Sequence, residues 1–86
     1  MENKLYTIAQ YGHIDLQLKQ IMDEKHITRN ALARAINTRF EVIDKWYQGH
    51  VEKLDTDILA RICFVLDCTP GDLLHYSQSP NTSQTR

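Results

Sequence analysis

Apolar positions between Ile14 and Leu74 recur at intervals of three and four residues, the spacing that lines one side of an α-helix. Ile14, Leu18, Ile21 and Met22 share one face of a first helix expected over roughly Ile14 to Lys25, and Leu16 falls opposite, offering a second contact. Thr28 is a good N-cap for a second helix, whose apolar stripe is Ala31, Leu32, Ala35 and Ile36. Asn37 and Thr38 break it, because asparagine tolerates the left-handed conformation that ends helices. Thr38 with Glu41 three residues later has the spacing of a capping box and opens a third helix, which runs to Gln48 with Gly49 as its C-terminal cap. Asp55 or Thr56 caps a fourth helix with Ile58, Leu59, Ile62, Cys63 and Leu66 in one broad stripe. Val65 sits at the edge of that stripe and Phe64 lies off it. Thr69-Pro70-Gly71-Asp72 reads as N-cap, proline at the first helical position and acid at the third, opening a short fifth helix that carries Leu73 and Leu74.

The expected fold is therefore all-α, a compact bundle of five short helices filling residues 12–76. Residues 77–86 (SQSPNTSQTR) contain no apolar side chain and read as a disordered tail. Residues 1–11 form an N-terminal arm, in which Leu5, Tyr6, Ile8 and Tyr11 suit either a short strand or a segment laid on the core.

Composition narrows the classes. Eighty-six residues make one small domain, and 42% apolar against 24% charged residues favours a packed core. The longest apolar run, Ile62 to Leu66, is five residues, far below the roughly 20 that cross a bilayer. No charged-then-apolar leader opens the chain, so neither a membrane span nor a secretory signal is expected. Cys63 and Cys68 lack zinc-like spacing with each other or with histidine. The expectation is a cytoplasmic protein with reduced thiols and no metal or cofactor. Net charge is −1, but Lys25 to Lys53 carries six basic and three acidic residues, net +3, and the remainder is net −4. One face of an otherwise acidic domain is thus suited to an anionic partner.

The second and third helices are joined by two or three residues, which forces a large crossing angle with small residues at the contact; Ala33 and Ala35 are available there. This is helix-turn-helix geometry, which holds its second helix out toward a major groove. On the third helix Glu41, Asp44, Lys45 and Gln48 fall on one arc, and Val42, Ile43, Trp46 and Tyr47 on the other. Periodicity alone favours an ordinary amphipathic surface helix. The preceding tight turn and the basic segment favour a reading helix.

Thr28-Arg-Asn-Ala-Leu-Ala-Arg-Ala-Ile36, the turn, Ile43, Gly49, Leu59-Ala-Arg-Ile62, Leu66 and Pro70-Gly-Asp-Leu-Leu74 together resemble the Cro/lambda-repressor type (XRE-type) helix-turn-helix family over roughly Ile14 to Tyr76. The resemblance implies that the start of the third helix reads bases, which maps onto Phe40, Glu41 and Lys45 with Asp44 beside them. Lys45 would donate to guanine, Glu41 accept from cytosine and Phe40 pack on a thymine methyl. It also implies phosphate contacts from the start of the second helix and the loop after the third: Arg29, Asn30, Arg39, Gln48, His50 and Lys53. The chain departs from the family at Asn37, where glycine is commonest, and at Thr38, where a hydrophobic residue is usual. Glu41 and Asp44 place two acids on the reading face. Glu41 serves equally well as a capping-box acid, and Asp44 either excludes wrong sequences or pairs with Lys45 or Gln48. Phe40 alternatively closes the edge of the core.

Other candidates reduce to packing. Trp46 and Tyr47 lie on the apolar arc. Cys63 and Cys68 would point about 140° apart on a helix, which disfavours a shared metal site. His13, His26 and His75 are expected at the surface, and only His50 has a phosphate role. No nucleophile–base set or phosphate loop is present, so the chain is not expected to be an enzyme. Phe64, Leu73, Leu74 and Tyr76 could form an apolar patch for a second subunit, giving a homodimer; alternatively Phe64 packs under the N-terminal arm. The expected function is a small sequence-specific regulator of transcription that binds double-stranded DNA, a repressor of bacterial or phage-related type. The rival is a protein-interaction module, antitoxin-like or an adaptor, that keeps the fold without the DNA site.

Overall fold

The computed structural model describes residues 11–78. Its elements are strand β1 (His13–Leu16), helices α1 (Leu18–Lys25), α2 (Arg29–Ala35), α3 (Phe40–Gln48), α4 (Thr56–Leu66) and α5 (Pro70–Leu73), and strand β2 (Leu74–Ser77). β1 and β2 pair antiparallel, with His13 opposite Ser77 and Leu16 opposite Leu74. The architecture is five helices closed by a two-stranded sheet, so the all-α expectation is corrected. The N-terminal arm up to residue 10 and the tail from residue 79 lie outside the described residues.

The sheet replaces the expected first turn of α1. Ile14 shares a helical period with Leu18 but is 57% exposed, and it sits in the strand opposite Tyr76. Backbone hydrogen bonding to a segment sixty residues away decides this. The Gln17 amide continues the connection by donating to the Leu73 carbonyl at 2.7 Å, after which α1 begins. Gly12 lies so close to β2 that a Cβ would meet the Ser77 carbonyl oxygen at 1.8 Å. Its amide donates to the Tyr76 hydroxyl at 2.8 Å. Leu74, expected in α5, instead opens β2.

Local signals fix the other helix ends. Thr28 Oγ1 accepts from the Ala31 amide, Asp55 accepts from the amides of Asp57 and Ile58, and Thr69 with Asp72 forms a complete capping box that encloses Pro70 at the first helical position. The box expected at Thr38 and Glu41 is absent. Thr38 lies one residue too early: Arg39 is the N-cap of α3 and makes no side-chain cap bond. The Thr38 amide is used to close α2, donating to the Ala33 carbonyl at 2.9 Å while Asn37 turns left-handed at φ 59. His26, Gly49 and Asp67 take the same left-handed position after α1, α3 and α4, so only one of the four caps uses glycine.

The core is Leu18, Met22, Leu32, Ala33, Ile36, Ile43, Trp46, Ile62, Leu66 and Leu73. Ala33 is buried within it, whereas Ala35, expected in the stripe, is exposed. Arg61 links α4 to the end of α2, donating from Nη1 to the Ile36 carbonyl at 2.9 Å and pairing with Asp57 at 2.7 Å. The left-handed Asp67 also reverses the chain so that the Cys68 amide donates to the Cys63 carbonyl. The two thiols become neighbours, contrary to the divergence expected on a continuous helix. Burial, with Cys63 beside it, pushes the Cys68 thiol up to about 11. A thiol so disfavoured as thiolate is a poor nucleophile and packs as a small apolar group. Among the described residues no cluster of His, Cys, Asp and Glu could hold a metal, and no helix is long and apolar enough to cross a membrane.

Candidate nucleic-acid interface

α3 is held from behind. Ile43 and Trp46 are buried, and Val42 and Tyr47 are half-buried against the core. The opposite arc carries Glu41, Lys45 and Gln48, all exposed, with Asp44 half-exposed among them. A nine-residue helix with one side anchored and the other bare projects as a rigid rod from the α2–α3 corner.

The most connected residue at that corner is Arg29, in the first turn of α2. Its Nη1 donates to Asp44 Oδ1, bridging the start of α2 to the outer arc of α3. The partner of Asp44 is therefore Arg29, and neither Lys45 nor Gln48. The guanidinium also stands 4.8 Å from the Tyr47 ring centre and 5.5 Å from that of Phe40, within cation–π range of both. Tyr47 is fixed in turn: its hydroxyl donates to Asp23 Oδ1 at 3.0 Å, while Lys19 reaches Asp23 Oδ2 at 3.0 Å and lies 5.7 Å from the same ring. Hydrogen bonds from Lys19 and Tyr47 hold the Asp23 carboxyl below the usual carboxylate range, and Asp23 raises the Lys19 ammonium. Each contact is at the surface and individually weak. Together they chain α1, α2 and α3 through one aromatic ring. Sequence reasoning left out Asp23, Lys19 and the bracing role of Tyr47, because partners 15 and 24 residues apart across two turns leave no periodic trace.

The remaining predicted contact residues surround this rod. Arg39 precedes its first turn and is exposed, as is Asn30 on α2. His50 and Lys53 follow its end and, with Lys45, line an open groove that also includes Val42, Trp46, Val51 and Glu52. Arg39, Lys45 and Lys53 form no ion pair with any described residue. Phe40, the first residue of α3, is 37% exposed.

The expected subunit patch divides. Leu73 is 1% exposed and belongs to the core, so it is removed from any interface. Leu74 is half-buried, Phe64 is 87% exposed on α4, and Tyr76 is 53% exposed with its hydroxyl donating to Gln78.

With this geometry in place, the comparisons identify the class. Residues 17–79 match the model of the Cro/C1-type helix-turn-helix DNA-binding domain, and the chain belongs to that family. No curated protein matches it. Among solved structures it is similar to the transcriptional regulator VanUg, at TM-score 0.64 and 19% identity over 91% of this chain and all of that one. A candidate DNA-binding protein from Bacteroides fragilis is similar at TM-score 0.66 and 21% identity over 73% of this chain and all of that one. At those identities both likenesses bear on the fold alone.

Proposed function

We propose that the protein is a regulator of transcription that binds double-stranded DNA sequence-specifically, acts as a repressor by occupying its site, and inserts α3 into the major groove. The observation that carries this reading is the bare arc of α3, which shows Lys45, Glu41 and Gln48 to solvent while Ile43 and Trp46 anchor its back. Base readout is assigned to Phe40, Glu41, Asp44 and Lys45. Arg29, Asn30, Arg39, Gln48, His50 and Lys53 flank them as backbone contacts, which position the helix without reading sequence. Two heads on a pseudo-palindromic site would double the contacts, and Phe64, Leu74 and Tyr76 supply the apolar surface for a homodimer. The place of action is the cytoplasm. The rival, a protein-interaction module, is supported by two acids on the reading face and by a net charge of −1; the pairing of Asp44 with Arg29 cancels one of those acids locally.

Titration of a mixed-sequence duplex at several salt concentrations tests the reading. Each phosphate neutralised contributes about 0.9 to the log–log slope, so a slope of several units is expected, and Lys53→Ala should reduce it by about one. A slope near zero would leave the interaction module as the better account.

A further inference from the structure

We infer that Arg29 and Asp44 act as one unit that reads a guanine–cytosine base pair, with Arg29 donating to the guanine edge and Asp44 as its positioning residue and the acceptor for cytosine. The inference rests on α3 entering the major groove, as proposed above, and moves Arg29 from the backbone set to the reading set.

A carboxylate in contact with the guanidinium makes the pair neutral, so what Arg29 gains from a phosphate is largely offset by the repulsion from Asp44. Hydrogen-bond geometry is untouched by that cancellation. One Nη1 hydrogen is committed to Asp44 Oδ1, and an arginine has five N–H donors in a planar fork. Asp44 Oδ2 has no partner among the described residues. The pair therefore offers donors beside a free acceptor. In the major groove a G·C pair offers the complement: two acceptors, N7 and O6, beside the cytosine N4 donor, whereas A·T places an adenine donor where guanine has O6. Phe40 and Tyr47 brace the guanidinium, and Asp23 fixes Tyr47, so the fork is held before DNA arrives and less side-chain freedom is lost on contact.

Arg29→Lys separates a reader from a backbone contact, because lysine keeps the charge that a phosphate needs and loses the fork that guanine needs. A duplex selected from random DNA by the wild-type protein is changed from G·C to A·T one pair at a time. Wild type should lose roughly 5- to 150-fold at one such position. Arg29→Lys should bind both versions of that position alike, with its salt slope kept. Asp44→Asn should also narrow the preference there while binding non-selected DNA more tightly than wild type, since a negative charge has left the face. Every G·C preference surviving Arg29→Lys overturns the assignment. An Arg29→Ala slope lower by about one, with preferences intact, overturns it in favour of phosphate. Failure of the wild-type protein to bind any duplex overturns the DNA reading itself, and this assignment with it.

Discussion

Trp46→Ala is expected to remove a large part of the domain's stability. The indole is 4% exposed and stands at the back of α3, within the cluster that joins this helix to α1, α2 and α4. Truncating a buried tryptophan to alanine costs about 3–5 kcal/mol, from lost burial and the cavity left behind. A domain of this size holds only about 0.05–0.15 kcal/mol per residue, so the loss is a large fraction of the whole. Thermal melting followed by circular dichroism should show the midpoint lowered by roughly 15–30 °C, or no folded baseline at all. Lys45→Ala on the opposite arc of the same helix should stay within about 0.5 kcal/mol of wild type. The contrast between two residues one position apart is the direct energetic signature of a helix anchored on one side only. Equal melting temperatures for the two variants would mean that α3 is not braced by its apolar arc.

The second large effect concerns binding with the fold intact. Lys45→Glu combined with Lys53→Glu replaces two exposed cations, neither of them ion-paired with a described residue, by anions along the groove beside α3. Two phosphate-compatible charges are lost and two repulsive ones are gained. Affinity for duplex DNA at physiological salt should fall on the order of 10²–10³-fold, and the remaining binding should be less salt-dependent. The melting temperature should be nearly unchanged, because neither side chain packs in the core. Binding that survives the double reversal would move the contact surface elsewhere on the molecule.

Local chemistry made much of this molecule legible. The caps at Thr28, Asp55 and Thr69, the proline at the start of α5 and the glycine after α3 act within four residues, so a linear reading finds them. The two arcs of α3 follow from a single helical period, and burial separates them as that period predicts. Misreadings occur where a distant partner decides. Ile14 keeps helical phase with Leu18, yet the pairing of β1 with β2 draws it into a strand. Thr38 and Glu41 have the spacing of a capping box, but the Thr38 amide is taken by the preceding helix. Cys63 and Cys68 diverge on an ideal helix and converge because Asp67 ends the helix between them. Leu73 looked available for a partner because its side of α5 is set by packing rather than by sequence period. At the interface, residue types on α3 were readable, while the tie from Arg29 to Asp44 and the Asp23–Tyr47 brace arise from folding α1 and α2 against it.

The most direct test of the interface is a residue-by-residue map of amide chemical shifts as the full chain is titrated with a duplex selected from random DNA. Perturbations are expected to concentrate on Phe40–Gln48, with Arg29 and Asn30 on one flank and His50–Lys53 on the other. A map centred on Phe64 and Tyr76, with Glu41, Lys45 and Gln48 unmoved, would contradict the account.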